Sequence, residues 1–570
     1  MSGVRKRVRE AARRLWSEAP QVGRAGSRSA HLHVEVPTQR VFGLVATATG
    51  VDILQRAHLR YTDLRKFAFI RWLGTLGALL LGFGALGAGA LPVVDNPYTS
   101  FPGGALMVRM MSASMMLCFV GVGCLVVAWV LLAPFTGAFL FPKQRDPGVV
   151  SVSMLRRTFL AWSLPILASA PMFTQDIYSY LANGSITRQG LDPYVAGPVE
   201  ILGADDPLAR SVPFIWANSP SPYGPVALGI AKIISIVTSD NVAWAVFAHR
   251  LCSIVGVALA GWAIVALAKR CRVRPQAALW LGVLNPLTIL HLIGGIHNEA
   301  ILLGLMLCGL ELGLRGAWRL ETGLFPSAAA HIAASGLLIS CAGMVKVTGF
   351  MALGFVGMVL ARSLHARGLA KWWALTLAIA CQILVLCLSV ALVTWVSGIG
   401  LGWITSQGGA VTIRSWMSAT TSVGVIFGWV GMVLGLGDHT EAMLSVTRGV
   451  GIAAILAFTV RMLFAVLNGR IAAVGGLGVA TLVLVVLFPV VHPWYALWAI
   501  LPLAAWANRL LFQVGVLVYS VVVSFMVLPR GLSLPPLTVF TVYVGSFVAL
   551  AILLAVLWWA FNARSRRRLH

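Results

Sequence analysis

The sequence predicts an all-α polytopic membrane protein, and three observations carry that prediction. Of its 570 residues, 59% are hydrophobic and only 11% are charged, whereas about a quarter of a soluble domain is charged. Apolar runs of about 20 residues recur along the chain, the length a helix needs to cross a bilayer. Lipid leaves irregular backbone without hydrogen-bond partners, so such runs must be helical. Finally, the basic residues fall in short clusters between the runs, at Arg5–Arg14, Arg60–Arg71, Lys269–Arg274, Arg362–Lys371 and Arg564–Arg568. That distribution follows the positive-inside rule. The formal charge of +25 would otherwise suggest a nucleic-acid partner, but no basic soluble domain is present to bind one.

Residues 1–65 are rich in Ser, Gly and Arg and read as a basic cytoplasmic segment, partly disordered. A transmembrane body over 66–562 follows, with about 13 to 14 spans. They fall near 67–92, 107–137, 156–172, 242–268, 276–295, 298–314, 328–345, 348–361, 372–396, 445–467, 471–490, 494–507, 510–528 and 538–561. With the N-terminus inside, Lys143–Arg145, Arg156–Arg157, Arg315–Arg319, Arg470 and Arg509 join the inner clusters, as does the basic tail 563–570. Asp95, Asp176, Asp192, Glu200, Asp205, Asp206, Asp240, Glu299, Asp438 and Glu441 collect outside. This parity requires 224–237 and 419–436, apolar but short, to lie as helices at the outer interface. Two large loops then face outward, 173–241 and 397–443.

Most of the cysteines lie within apolar runs and none forms a CxxC pair, so they read as small core residues. The Arg-rich start has no apolar stretch before about Phe67, too late for a cleavable signal sequence. No convincing internal repeat, P-loop or strand-based GxGxxG unit is found.

The chemistry concentrates at the outer corners. "TQDIYSYLANGSITRQGLDPYV", residues 174–195, places two carboxylates, Asp176 and Asp192, with Tyr178, Tyr180, Tyr194 and Arg188 directly after an apolar run. Other corners carry His297, Asn298 and Glu299, then Lys346, then His492, Trp494 and Tyr495; the second large loop carries Arg414. Ionisable groups at the ends of spans are costly to keep and mark function or pairing. Lys346 and Arg414, with His297 or His492, have the chemistry to hold a phosphate. The aromatic rings suit an amphipathic ligand, although an interfacial belt would use the same residues. Glu299 pairing with Lys346, and Asp192 starting a turn before Pro193, are the competing structural readings. Asp176 has no adjacent basic residue to satisfy it.

The ordered set "QDIYSYLANG", "GLDPY", "SPYGP", "NPLTILHLIGGIHNEA", "MVKVTGF" and "HPWY" resembles the GT-C glycosyltransferases. More narrowly, it resembles the actinobacterial polyprenol-phosphomannose-dependent α-(1→6)-mannosyltransferases of the MptA/MptB type, with MptB the nearer. The likeness covers roughly residues 60–560. Two spans precede the helix before Asp176, whereas many GT-C enzymes put the catalytic Asp after the first helix.

The resemblance implies a GT-C fold whose outward loops carry juxtamembrane helices, and a β-mannosyl phosphoryl polyprenol donor. It also implies a membrane-anchored mannan acceptor, as in lipomannan, and inversion at the anomeric carbon on the extracytoplasmic face of the plasma membrane. Such a reaction needs one general base and donors that stabilise a departing phosphate. By the family's pattern Asp176 is that base. Tyr178, Tyr180, Arg188, Asp192, Tyr194, Asn298, Glu299, Trp494 and Tyr495 would shape the sugar pockets, and His297, Lys346, Arg414 and His492 the phosphate site. A divalent ion bridging Asp176 and the donor phosphate stays open, although no His/Asp spacing marks a metal site. A polyprenyl-phosphate-dependent arabinofuranosyltransferase stays open too, since it needs the same base and clamp. A lipid-linked sugar transporter would instead show internal repeats and polar sites at mid-membrane.

Overall fold

The computed structural model describes residues 61–138, 149–406, 413–507 and 509–566. The basic segment before Tyr61, the Lys143–Arg145 cluster and residues 567–570 of the tail lie outside the described residues. Among the described residues the regular structure is entirely helical.

Seventeen helices organise the described residues: α1 (Tyr61–Ala88), α2 (Met111–Leu132), α3 (Val152–Ser163), α4 (Asp176–Arg188), α5 (Pro225–Thr238), α6 (Val242–Arg270), α7 (Pro275–Leu281), α8 (Glu299–Glu321), α9 (Phe325–Gly343), α10 (Met351–Ala366), α11 (Lys371–Ser397), α12 (Ala419–Val433), α13 (Thr440–Leu467), α14 (Ala473–Leu487), α15 (Ala496–Ala504), α16 (Leu510–Met526) and α17 (Pro536–Arg566). Four short helical pieces supplement them, at Gly104–Arg109, Pro198–Leu202, Pro207–Ser211 and Phe214–Ala217.

Nine helices among the described residues are long and apolar enough to cross a membrane, and each coincides with an expected span. The other five expected spans are shorter or interrupted. The run 156–172 is α3 followed by a 3-10 turn at Leu164–Ile166, where Pro165 cannot donate to an α-helical ladder. The run 276–295 is α7, a break around Asn285-Pro286, and a π-helical turn at Thr288–Gly294. The side chain of Asn285 holds that break: its amide donates to Ser520 Oγ at 2.8 Å and its oxygen accepts from the Leu287 amide at 2.9 Å. Helices α14, α15 and α16 make up the remaining three. The two runs read as interfacial helices are α5 and α12, of 14 and 15 residues.

The interrupted segments are tied into the body by polar contacts inside it. Trp129 and Trp280 each donate an indole N–H to the other's carbonyl, both at 2.8 Å, and their rings stack. The fully buried Arg250 of α6 has no carboxylate partner in contact. Its guanidinium donates to the carbonyls of Leu167 (2.9 Å), Ser169 (2.6 Å), Ala170 (3.0 Å) and Ile293 (3.1 Å), and more distantly to Gly294 (3.5 Å). One arginine thus joins the frayed C-terminal ends of two broken segments, where carbonyls lack intrahelical donors. Those segments lead directly to Asp176 and His297.

The body has two chemically distinct ends. At one, Glu311 accepts from Arg270 (3.0 Å) and Arg315 (2.6 Å), Ser363 donates to Glu321, and Lys371 donates to Asn468. At the other end sit Asp176, His297, Glu299, Lys346 and His492.

Candidate active site

Four chain segments converge to make the site. The first is the turn into α4. Met172 N–H donates to Gly294 O (3.2 Å) and Phe173 N–H to Pro529 O (2.7 Å), so two distant segments hold the approach. Phe173 itself turns through φ 68°. The Asp176 amide donates to Thr174 Oγ1 at 3.1 Å, and α4 begins at the aspartate. A carboxylate in the first helical turn is favoured by the helix dipole. Helix α4 is buried from Ile177 to Thr187, and Tyr178 anchors it by donating its hydroxyl to Ala90 O at 2.6 Å.

The second segment is the corner before α8. Ile296 turns through φ 58°, a conformation a β-branched residue adopts at a cost of order 1–3 kcal/mol. It is buried against Ile177 and Tyr178 of α4, which offsets that cost. The next residue, His297, then brings Nδ1 to 3.6 Å from Asp176 Oδ2. The third segment is the α9–α10 turn carrying Lys346, and the fourth the short turn Pro493–Tyr495 before α15.

At the centre, Lys346 Nζ donates to Glu299 Oε1 and to the Tyr495 hydroxyl, both at 2.8 Å. The Tyr495 ring stacks on Trp498 with centroids 4.1 Å apart. The Trp494 ring stacks with both His297 (3.7 Å) and His492 (4.7 Å), and His291 lies 5.4 Å from it. On the other side of Asp176 the Trp216 indole donates to Oδ1 at 3.1 Å. A cleft opens there, lined by Asp176, Ser179, Asn183, Trp216, Ser219, Pro220, Ser221, Pro222 and Tyr223. The "SPYGP" loop closes that cleft against the α9–α10 turn. A side chain on Gly224 would run into the carbonyl of Met344, so only glycine permits the approach.

The electrostatics follow from burial. Burial pushes the Asp176 carboxyl up to about 6; the Trp216 hydrogen bond opposes this and the Glu299 charge adds to it. Burial likewise holds His297 well below its usual range and His492 at about 4, so both rings are neutral at neutral pH. They can donate or accept hydrogen bonds there, but they carry no charge. Burial opposes the charge on Lys346, but Glu299 and Tyr495 outweigh it and raise its pKa above the ordinary value. Lys346 is therefore the cation that this cluster offers.

The structure brings together Asp176, His297, Glu299, Lys346, His492, Trp494 and Tyr495. Tyr180 joins them through Tyr223, whose hydroxyl lies 3.5 Å from its own. Tyr194 stands one layer behind and donates to Tyr223 O at 3.0 Å. Asn298 is buried at the N-terminal boundary of α8, and its side chain makes no capping hydrogen bond. Four of the expected site residues lie apart, the first being Tyr178, whose hydroxyl is taken up by Ala90 O. Arg188 is at the far end of α4, about 18 Å along the helix, and pairs with Asp240 at 2.6 Å. Asp192 accepts from the Tyr194 amide at 2.9 Å and so forms a turn. Arg414 is exposed and paired with Glu441.

Sequence reasoning did not single out Arg250 as the brace beneath the site, although a lone arginine inside an apolar run was a signal. Nor did it single out Ser179 and Asn183, whose small side chains gave none. Among the described residues, no three His, Cys, Asp or Glu side chains converge in a way that could hold a metal ion.

Comparison with known proteins places this constellation in a family. The model for the α-(1→6)-mannopyranosyltransferase N-terminal domain matches residues 71–362, and that for the MptB C-terminal domain matches 420–555. The chain is 59% identical to α-(1→6)-mannopyranosyltransferase B of Corynebacterium glutamicum, covering 98% of this chain and 94% of the relative. It is 41% identical to an α-(1→6)-mannopyranosyltransferase of Mycobacterium tuberculosis, covering 84% and 85% of the two chains. To α-(1→6)-mannopyranosyltransferase A of the latter species it is 33% identical, over 75% and 78%. No solved structure matches. On two family models and on relatives aligned over most of its length, this chain belongs to the MptA/MptB family of α-(1→6)-mannopyranosyltransferases and is of the MptB type.

Proposed function

We propose that the chain transfers mannose from polyprenyl-phosphate-mannose to the 6-hydroxyl of a membrane-anchored mannan, with inversion, at the extracytoplasmic face of the plasma membrane. The relatives' names supply mannose and the α-(1→6) linkage. The observation that carries the mechanism is the division of the Asp176 carboxylate. Its Oδ2 faces His297, whose ring stacks on Trp494, and its Oδ1 faces the cleft under Trp216. A base between a phosphate pocket and an acceptor pocket is what a single inverting displacement needs.

In that displacement the acceptor oxygen attacks the anomeric carbon while the bond from that carbon to the phosphate oxygen breaks. The bonding pair leaves with the phosphate, and the acceptor's proton passes to Asp176. With its pKa raised to about 6, the carboxylate is still ionised at neutral pH and is a stronger base than an exposed aspartate. Lys346 would meet the departing phosphate as a charge, and His297 and His492 as neutral hydrogen-bond donors. Arg414, held outside by Glu441, would join only by leaving that partner, so the phosphate site centres on Lys346.

The two chemically distinct ends support the topology. The basic residues of Arg270, Arg315 and Lys371 lie opposite Asp176, and the positive-inside rule puts Asp176 outside. Helices α9 and α11 pack side by side with Gly336 against Val385. Lys346 and the exposed Trp395 each lie ten residues further along from that contact, and an exposed tryptophan near the end of a span suits an interfacial belt. A lipid phosphate lies at the depth of such a belt.

The test is incubation of the purified protein in liposomes with polyprenyl-phosphate-mannose and an α-(1→6)-mannobioside. An α-(1→6)-linked trisaccharide is expected. Transfer from a nucleotide sugar but not from the lipid donor, or a β-linked product, would refute the reading.

A further inference from the structure

We propose that Ser179 and Asn183 form the acceptor-sugar subsite, holding ring hydroxyls of the terminal mannose whose 6-hydroxyl Asp176 deprotonates. The inference rests on the function proposed above and names the residues that read its substrate.

Asp176, Ser179 and Asn183 sit at spacings of three and four on α4, so they share one helical face over about 10 Å. All three line the cleft on the Oδ1 side of the carboxylate. Ser179 is 5% exposed and Asn183 4% exposed, yet Ser179 Oγ and Asn183 Oδ1 have no hydrogen-bond partner among the described residues. Buried polar atoms are nearly always satisfied, so two orphans facing one cleft point to a ligand.

Their chemistry specifies that ligand. The Asn183 amide donates to Ser179 O at 2.7 Å, which fixes the orientation of the group and leaves its oxygen as the unpaired atom. An amide oxygen only accepts, and a serine hydroxyl does both. The ligand must therefore bring O–H or N–H donors. The cleft lining contains no Lys or Arg, so it is not built for a phosphate. Trp216 and Tyr223 on the opposite wall offer apolar faces. Neutral, hydroxyl-rich and partly apolar describes a pyranose ring. The phosphate-suited group, Lys346, is not among the lining residues and is held by Glu299 and Tyr495, which leaves this cleft for the acceptor.

The test measures KM separately for donor and acceptor in Ser179→Ala and Asn183→Leu. Ser179→Ala, which deletes one oxygen, carries the test if Asn183→Leu fails to insert. Each variant is expected to raise acceptor KM roughly tenfold, the value of one neutral hydrogen bond, with donor KM unchanged. On the 2-, 3- and 4-deoxymannoside acceptors, the variant and wild type are expected to perform alike on the one lacking the bonded hydroxyl. Unchanged acceptor KM, a rise in donor KM instead, or independent losses on all three deoxy acceptors would overturn the subsite. A wild type that is inert toward every mannoside would remove the function and the subsite together; an active wild type with normal variants removes the subsite alone.

Discussion

Replacing Asp176 with Asn should make the protein more stable at pH 8, and the gain should vanish in acid. Burial raises the Asp176 carboxyl from 3.8 to about 6, roughly two pKa steps at 1.36 kcal/mol each, or about 3 kcal/mol. Between pH 4 and 6 the folded chain keeps a proton that the unfolded chain has released. Stability therefore falls as pH rises through that window, and the full cost is present above pH 6. Asparagine accepts the same hydrogen bond from Trp216 and never ionises, so it escapes the cost. Thermal unfolding of the two detergent-purified proteins at pH 4.5, 6 and 8 reads the effect. The midpoint of Asp176→Asn should lie above that of the native chain at pH 8 and converge on it at pH 4.5. The same titration should make native turnover fall about tenfold per pH unit below about 6. Parallel midpoints across the range, or a variant less stable at pH 8, would refute the burial argument.

Lys346→Met strands the buried Glu299 carboxylate and should cost about 3–5 kcal/mol; adding Glu299→Gln should restore much of the stability but not donor use, read as thermal midpoint against donor KM. Arg250→Met leaves several carbonyls of the broken segments unpaired and should lower the thermal midpoint and the folded yield, with Arg250→Lys intermediate; an unchanged midpoint would show that the brace is dispensable. The exposed Asp205 probes the orientation of the first large loop. In intact cells Asp205→Cys should react with an impermeant thiol reagent, and labelling only after permeabilisation would invert the topology.

The long spans were legible because a lipid-crossing helix needs one continuous apolar run, and nine of them stand where hydropathy put them. The interrupted ones were legible only as apolar, because Pro165 and Pro286 are common in membrane helices and do not say where a chain unwinds. The Glu299–Lys346 pair was readable as a complementary couple at two outer corners, and the structure forms it. Arg188 and Arg414 show the opposite limit. Each looked available beside the site, but their partners Asp240 and Glu441 are distant in sequence, and only folding reveals such pairing. The same holds for Ser179 and Asn183, since the signal at those positions is the lack of a partner. The neutrality of His297 and His492 also came from burial depth, which residue type does not encode.

The role given to Asp176 is tested most directly by the single-turnover rate of mannose transfer, with polyprenyl-phosphate-mannose and acceptor both saturating at pH 7.5. Asp176→Asn should be slower than the native chain by roughly 10²–10⁴-fold, the usual worth of a general base, while donor binding at equilibrium is preserved. An Asp176→Asn protein that transfers mannose at the native rate would contradict the account.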